Sequence, residues 1–537
     1  MTRHRSLIGF LLVIATSCAT PTPTPTPSSR GAPPGLSEIR ESDLRRDIFA
    51  LGGDAMRGRE AGTLDEMRAS VWVAERAREA GLLPAGDDGT YFQWWPLRRT
   101  VLAENSRVAV GDSLLIVRRD VMPTATLTAG AAGGGGAGGG AATASVTLDL
   151  PLLFVDNPGT GGNTQDLAGK AAATVVRTAA LATQAQTALR ARGAGAILII
   201  GQDSADTEEA WSALAQRGAA RGSYTIDTGQ VAPAARSAAA DAVPVLRARF
   251  ATLSKVRGAA ARGQRLVLNI YTQTFDYPSA NVIAKVPGTD PARRDEYVLF
   301  SAHQDHDGVR NILRGDSIWN GADDNASVSV ALLAIGRAVS RHPMPRTALF
   351  VWHGAEERGL LGSRWFVHKP IVPLKSIVAV LNGDMIGRNA PDSAALSGWR
   401  PPYRNSKALA QAALDANSAV SKFTLDTLWD LPNHCEGWYF RSDHLPYAQA
   451  GVPALFFSTL LHGDYHTPED EPSRIDIHKL WRMTNWMYAT GWTIGNARER
   501  PDVDPGFRAT RPDRSNCIRW NRPPGSLDGR GRGGRGG

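Results

Sequence analysis

The feature that most constrains this chain is a series of apolar runs, beginning near residue 280, that end in acidic or histidine residues. The runs VLFSA, LFVWHGA, AVLNG and VPALFFST are followed by His303 and Asp305, Glu356 and Glu357, Asp384, and Tyr465 and His466. Continuous apolar runs indicate strands buried on both faces. Helical stretches alternate with them, which predicts an α/β fold with a doubly wound, mostly parallel sheet. Ligands in such sheets bind outside the carboxyl ends of the strands, so these polar residues are expected at one site.

Two imidazoles among several carboxylates form a ligand set that suits Zn²⁺. Burying this many acids in one cleft is costly unless cations balance them. One ion would leave ligands over, whereas two ions ~3.5–4 Å apart, bridged by one carboxylate and a water, would use the whole set. Asp323 and Asp324, in the segment NGADDNAS, precede the next predicted helix and add to the acids at this edge.

The adjacent pair Glu356 and Glu357 suggests a division of labour. Successive side chains at a strand end point in different directions, so one can bind metal while its neighbour takes a proton from water. Asp305 stands two residues after His303 and is placed to accept the other ring N–H of that histidine.

A purely structural interpretation explains the residues singly but not together. Acids at strand ends are often helix caps, and Asp324 or Asn325 could be only that. His353 and His462, each alone, are expected to be structural or exposed residues. Independent capping would not place acids and histidines at successive strand ends of one sheet.

The motifs HQDHDG, NGADDNAS, GAEERGLLGS, NGDMIGR, FRSDHLPY and YHTPED resemble the co-catalytic zinc peptidases of clan MH. That clan includes secreted bacterial aminopeptidases and glutamate carboxypeptidase II-like enzymes. The resemblance covers about residues 40–105 and 275–497. It implies a zinc-dependent exopeptidase, most simply an aminopeptidase, that acts on peptides or proteins and holds two Zn²⁺.

The resemblance also implies a role for each site residue. His303 and Asp384 would bind one zinc, Glu357 and His466 the other, and Asp323 would bridge. Glu356 would be the general base, Asp305 the partner of His303, and the Asp323–Asp324 peptide would be cis. Tyr465 resembles a tyrosine that steadies the tetrahedral intermediate, although ordinary packing is the alternative. Ser442, Asp443 and His444 match a family motif near the site but are not expected to be ligands.

Three alternative functions remain. A carboxypeptidase on the same scaffold would need cationic groups for the substrate carboxylate, for which Arg388 and Arg441 are candidates. The complete set of five ligands argues against a one-zinc glutaminyl cyclase. A non-catalytic receptor on this fold would have lost metal ligands, and none is missing here. A third possibility is a polyanion binder that uses the arginine- and glycine-rich C-terminal stretch.

The chain divides into six segments. Residues 1–18 form a signal peptide with a possible lipobox, and 19–38 a Pro/Thr-rich tether. The peptidase domain comprises 39–108 and the catalytic core 275–497. Between them, 109–274 resemble a protease-associated (PA) domain and include a Gly-rich loop at 123–145. Residues 498–537 are expected to be a disordered Arg/Gly/Pro-rich tail.

The leader predicts export. Its apolar run Leu7–Ala15 is too short to span a bilayer and ends near Cys18, which would be lipidated in a membrane-anchored lipoprotein but not in a secreted protein. Cys435 and Cys517 could pair or remain free thiols. The formal net charge is +8, and ten arginines against five acids place +5 of it in the tail, so no nucleic acid partner is expected. The oligomeric state does not follow from the sequence.

Overall fold

The computed structural model describes residues 32–124, 145–159, 166–216, 222–226, 243–511 and Cys517. The predicted leader, most of the tether, and all but the ends of the Gly-rich loop lie outside these residues. The first part of the chain forms two helices and two strands: α1 (Glu41–Leu51), α2 (Leu64–Glu79), β1 (Leu83–Pro84) and β2 (Phe92–Leu102). Helix α2 begins after Thr63, whose side chain accepts the backbone N–H groups of Asp65 and Glu66 as an N-cap.

The insert folds as a small α/β unit around its own apolar core. Buried side chains such as Leu198, Ile200, Leu246 and Leu266 pack together in this core. The insert is therefore an α/β unit, and its resemblance to a PA domain stays a prediction. Its elements are β3 (Arg107–Val110), β4 (Ser113–Leu115), β5 (Val121–Pro123), β6 (Ser145–Phe154), β7 (Ala171–Val176), α3 (Ala179–Ala191), β8 (Ala196–Gly201), α4 (Glu208–Ala215), β9 (Ser223–Ile226), β10 (Val245–Ala248) and α5 (Leu253–Ala261).

One long strand, β11 (Arg265–Val286), joins the insert to the catalytic part. Its first half pairs with β3 and β6 of the insert, and its second half pairs with β2. The predicted boundary between residues 274 and 275 therefore falls inside a continuous strand. The two parts share this strand as a common wall.

The catalytic sheet has a parallel centre and antiparallel edges. From one side to the other its strands run β9, β2, β11, β15, β12, β16, β19 and β17, and the four strands β15, β12, β16 and β19 are parallel. The predicted α/β fold is thus confirmed. The remaining elements are β12 (Tyr297–His303), β13 (Gly308–Leu313), β14 (Asp316–Trp319), α6 (Val328–Arg341), β15 (Thr347–His353), α7 (Leu361–His368), β16 (Ile377–Gly383), β17 (Ser393–Ser397), α8 (Lys407–Ala416), β18 (Thr424–Leu425), α9 (His444–Gln449), β19 (Ala454–Ser458) and α10 (Ile477–Asn496).

The prediction that residues 498–537 are disordered is wrong for the first part of this segment, residues 498–511. Phe507 packs on the aromatic core beside Tyr439, and the Asp504 carboxylate accepts a hydrogen bond from Arg404 at 2.8 Å. Cys517 forms a disulfide with Cys435, which resolves the two alternatives left open by the sequence. Residues 498–511 therefore belong to the folded domain, because they bury apolar side chains; most of the remaining tail lies outside the described residues.

Within the described part of the chain, we find no helix that combines the length and the apolar character needed to cross a bilayer.

Candidate metal centre

The predicted site residues meet at the carboxyl edge of the parallel strands. His303 ends β12, Glu356 and Glu357 follow β15, Asp384 follows β16, and His466 lies in the loop after β19. Each of these five residues is at most 5% exposed. The edge therefore carries a buried cluster of acids and imidazoles, as the strand-end pattern predicts.

Two groups of potential ligand atoms form within this cluster. In the first group, His303 Nε2 lies 3.1 Å from Asp324 Oδ1 and 3.7 Å from Asp384 Oδ2. In the second group, His466 Nε2 lies 2.9 Å from Glu357 Oε1 and 3.0 Å from Asp324 Oδ2. Asp324 belongs to both groups and turns one carboxylate oxygen toward each.

The shared residue is Asp324 and not Asp323, which corrects the predicted bridging position. Asp323 turns away: its Oδ1 accepts the backbone N–H of Gly387 at 2.6 Å, and its own backbone N–H donates to Asp470. The cis peptide is likewise Asp324–Asn325 and not Asp323–Asp324. The hydrogen bonds to Gly387 and Asp470 hold Asp323 away from the centre, so only the carboxylate of Asp324 enters it.

His306 belongs to the second group, and the sequence interpretation missed it. Its Nδ1 lies 3.2 Å from Glu357 Oε1, and its ring stands edge-on to that of His466. The residue is fully buried. Its place in HQDHDG, three residues after His303 at the same strand end, was the available signal.

Asp305 holds the glutamate pair through its carboxylate. The carboxylate accepts the backbone N–H groups of Glu356 at 2.9 Å and Glu357 at 3.3 Å. His303 Nδ1 instead lies 3.0 Å from the backbone carbonyl of Asp305, with the carboxylate at 3.7 Å. The predicted partnership with His303 is therefore made by the main chain, and the side chain of Asp305 positions the loop after β15.

A small cleft opens over the two groups, and Glu356 and Tyr465 line it. Glu356 Oε2 lies 3.9 Å from His303 Nε2. The Tyr465 ring stacks on His466, and its hydroxyl accepts a hydrogen bond from Arg441 at 3.1 Å. Arg441 also pairs with Glu436 at 2.6 Å. Tyr465 is thus held at the cleft wall with its hydroxyl fixed.

Several other residues considered from the sequence lie outside both groups. Arg388 pairs with Asp464, and His353 packs between Asn281 and Tyr447 within hydrogen-bonding distance of both. In the Ser442–His444 segment, the Asp443 carboxylate accepts a hydrogen bond from Ser363. Neither His353 nor this segment contributes to the two groups, in agreement with the structural roles expected for them.

The electrostatics of the cluster follow from burial and close opposite charges. Burial disfavours the charged imidazolium of His466, yet Glu357 outweighs it and raises the pKa of His466 well above its usual range. In turn, burial would raise the pKa of Glu357, but His466 and His306 hold it well below its usual range. Burial raises the pKa of Asp384 despite its contact with His303. The cluster thus contains more buried carboxylate charge than its imidazoles offset.

The donor set fits zinc. His303 Nε2 is buried and has no hydrogen-bond partner among the described residues, although Asp324 Oδ1 lies 3.1 Å away and Asp384 Oδ2 3.7 Å away. Buried polar atoms are rarely left without a partner. Imidazole and carboxylate donors gathered within 4.8 Å of one another supply the ligands that Zn²⁺ takes in proteins.

Residues 281–490 match the family model of Peptidase family M28. The chain is 31% identical over 251 residues to the leupeptin-inactivating enzyme 1 of Streptomyces exfoliatus, covering 42% of this chain and 51% of that protein. It is 29% identical over 217 residues to a probable leucine aminopeptidase of Trichophyton verrucosum, covering 38% of this chain and 55% of that protein. The chain thus spans about half the length of these curated relatives.

Solved structures show the same fold over most of the chain. The zinc aminopeptidase BSAP from Bacillus subtilis superposes with a TM-score of 0.53 at 17% identity, covering 89% of this chain and all of that one. The aminopeptidase from Aneurinibacillus sp. strain AM-1 superposes with a TM-score of 0.50 at 16% identity, covering 87% and 96% of the two chains. The match of residues 281–490 to Peptidase family M28, the shared fold and the buried ligand groups agree with the resemblance of the motifs to the zinc peptidases of clan MH.

Proposed function

We propose that this chain is an exported zinc-dependent aminopeptidase that removes residues from the amino terminus of peptides. The observation that carries the proposal is the pair of ligand groups that share Asp324, with the Glu356 carboxylate beside them. Metal-assisted hydrolysis requires two ion positions joined by a shared carboxylate, here Asp324, and a further carboxylate beside them, here Glu356.

Each of the two groups would provide the ligands of one zinc ion. His303, Asp324 and Asp384 would hold one, and Asp324, Glu357 and His466 the other, with His306 beside the second. When bound, the ions would polarise the scissile carbonyl and lower the pKa of the attacking water. The surrounding side chains are buried, so the peptide carbonyl would meet a site from which bulk water is largely excluded.

Glu356 is the proposed general base. It lines the cleft beside the two ligand groups, which places its carboxylate to take a proton from the attacking water. It would then pass that proton to the leaving amine. Asp305 fixes the backbone of Glu356, and the Tyr465 hydroxyl, oriented by Arg441, is placed to donate a hydrogen bond to oxygen charge that develops during attack.

Two observations favour an aminopeptidase over a carboxypeptidase on the same scaffold. Arg388 is engaged with Asp464, and Arg441 is paired with Glu436, so neither offers an uncompensated charge to a substrate carboxylate. Relatives are named leucine aminopeptidases, which makes an apolar amino-terminal residue the first substrate to test.

The test compares leucine p-nitroanilide with hippuryl-phenylalanine, before and after chelation and zinc restoration. We expect the enzyme to hydrolyse leucine p-nitroanilide and not hippuryl-phenylalanine. Chelation should abolish this activity, and about two zinc ions per chain should restore it. Glu356→Gln should keep its metal and lose at least ~100-fold in kcat. Glu75→Gln, on the exposed surface of α2, is the matched control. Full activity of Glu356→Gln would refute the base, and preferred hydrolysis of hippuryl-phenylalanine would refute the aminopeptidase.

Export through the leader, with lipidation of Cys18, is part of the same proposal. It is supported by the basic start, the short apolar run Leu7–Ala15 and the Pro-rich segment that follows. In a bacterial host, the full chain should fractionate with membranes, and Cys18→Ser should release it to a soluble exported fraction. Retention of Cys18→Ser in the cytosol would refute the anchored-lipoprotein arrangement.

A further inference from the structure

A second cavity, larger than the catalytic cleft, lies between the insert and the hairpin β13–β14. Its volume is about 700 Å³. Strand β2, helix α4 and the segment Val117–Asp120 contribute its walls on one side, and Val309–Ile312 on the other. It shares no lining residue with the catalytic cleft. We call this cavity the arginine pocket.

Three arginines in and behind the pocket compete for two carboxylates. Glu60 contacts Arg99 at 3.1 Å, Arg358 at 3.4 Å and Arg310 at 3.7 Å. Asp307 contacts Arg310 and Arg358, both at 3.0 Å. The pKa of Glu60 lies below its usual value, because these arginines outweigh the effect of its burial.

A fourth arginine, Arg118, forms no ion pair with a carboxylate of the described residues. The guanidinium of Arg118 donates only a long hydrogen bond, 3.4 Å, to the backbone carbonyl of Leu102, and no carboxylate of the described residues lies within 4 Å of it. Partial burial and the nearby charge of Arg310 lower the pKa of Arg118. Four guanidinium groups thus stand against two carboxylates, an excess of about two positive charges. The remaining pocket arginines, Arg119 and Arg249, have their own partners in Asp120 and Asp206.

The rest of the wall is apolar and open to a ligand. Val309 and Ile312 on the hairpin are 40% and 66% exposed, although both are large apolar side chains. Trp211 lies across from them, fixed by a hydrogen bond from its ring N–H to the carbonyl of Arg118. Such a mixture of an apolar wall and a few charged groups is typical of small-molecule sites.

We propose that the arginine pocket binds a small organic anion with about two negative charges, on a phosphate or a dicarboxylate, attached to an apolar body. Guanidinium groups bind both kinds of anion through paired N–H donors. The two charges follow from the excess of arginines, and the apolar body from the hairpin and Trp211. The pocket is a site separate from the metal centre, on the same chain.

Calorimetric titration of the zinc-loaded full chain tests the pocket, with phenyl phosphate and benzylmalonate as probes. We expect Arg118→Gln to lower the affinity for at least one of the two probes by tenfold or more. Arg257→Gln, which removes an exposed arginine of the same insert, should leave both affinities unchanged. The stronger probe identifies the charged group as phosphate or dicarboxylate. Binding that is equal in the wild type and Arg118→Gln reports the metal centre and overturns the proposal, as does the absence of binding at millimolar concentration.

A second variant tests the apolar wall and does not depend on Arg118. Ile312 is exposed, so Ile312→Ser should leave folding unchanged while removing apolar contact. The substitution should lower the affinity for phenyl phosphate at least threefold and leave the affinity for inorganic phosphate unchanged. If Arg118→Gln fails to fold, this comparison decides alone, and an unchanged affinity for phenyl phosphate overturns the proposal.

Discussion

The carboxylate of Asp305 accepts the backbone N–H of Glu356 at 2.9 Å. It thereby fixes the residue proposed as general base, and through a second bond at 3.3 Å it also fixes Glu357. Asp305 is completely buried, so these bonds are not exchanged for bonds to water. The link explains how one carboxylate at the end of β12 can control a loop that follows β15.

Asp305→Ala should lower kcat by about 10–100-fold, because the loop that carries Glu356 and Glu357 would lose both side-chain acceptors. Steady-state kinetics and metal analysis of the same preparation provide the measurement. Asp305→Asn keeps one acceptor oxygen and should lose less. Equal activity of wild type and Asp305→Ala would show that the loop is held by other contacts.

The neighbouring aspartates offer a matched pair of substitutions. Asp324→Asn should lower the zinc content and abolish activity, because Asp324 serves both ligand groups. Asp323→Asn should keep its zinc and cost no more than about 1.5 kcal/mol in stability, since an amide oxygen can still accept the N–H of Gly387. Metal analysis after dialysis separates them. Loss of zinc in Asp323→Asn with retention in Asp324→Asn would reverse the assignment.

His306 is expected to strengthen one zinc position. His306→Ala should weaken the position held by Glu357 and His466 by at least about tenfold and leave the other close to its normal affinity. Titration of the metal-free chain with zinc resolves the two steps. His353→Ala removes a buried imidazole outside both groups and is the control for loss of packing. Two unchanged binding steps in His306→Ala would make this histidine a structural residue.

The disulfide should stabilise the fold by about 2–4 kcal/mol. Cys435 and Cys517 are 82 residues apart in sequence, so the bond closes a long loop and restricts the unfolded chain. The double variant Cys435→Ser/Cys517→Ser should show this loss in urea denaturation. Wild type in a strong reductant should reach the same midpoint as the variant. Identical midpoints for wild type with and without reductant would mean that the bond does not form.

Glu66 should give the stability a specific pH dependence. Burial, with a smaller contribution from Asp305, raises its pKa from 4.5 to about 8 in the folded chain. Between these values the folded state holds a proton that the unfolded state has released, so stability falls as pH rises through this window. Glu66→Gln can still bond to Gly62 and Ser279 and should flatten that fall. Parallel pH profiles of wild type and variant would contradict the assignment.

Much of the site could be predicted from the sequence because strand ends are a one-dimensional signal. An apolar run followed at once by His303, by Glu356 and Glu357, or by Asp384 specifies both a buried strand and the edge at which it ends. Parallel strands then bring these ends together whatever the loops do. Metal chemistry follows, because acids and imidazoles collected in a buried place need cations.

Neighbouring residues mark the limit of that signal. Asp323 and Asp324 are equally acidic and adjacent, and the choice between them depends on contacts to Asp470 and Gly387, which are distant in the chain. His306 and the amide contacts of Asp305 were missed for the same reason. Periodicity locates a strand end, but it does not give the direction in which each side chain of the following loop points.

The sequence by itself determined the α/β class, the edge of the sheet that carries the chemistry, and the residue types gathered there, because these depend on local apolar patterning. Only the tertiary structure decided that Asp324 is shared by the two groups, that Cys435 pairs with Cys517, and that residues 498–511 pack on the domain. It also decided that Arg118 of the insert and Arg310 of the catalytic part line one pocket. Those features arise from contacts between distant segments, whose geometry is set by packing of the whole chain.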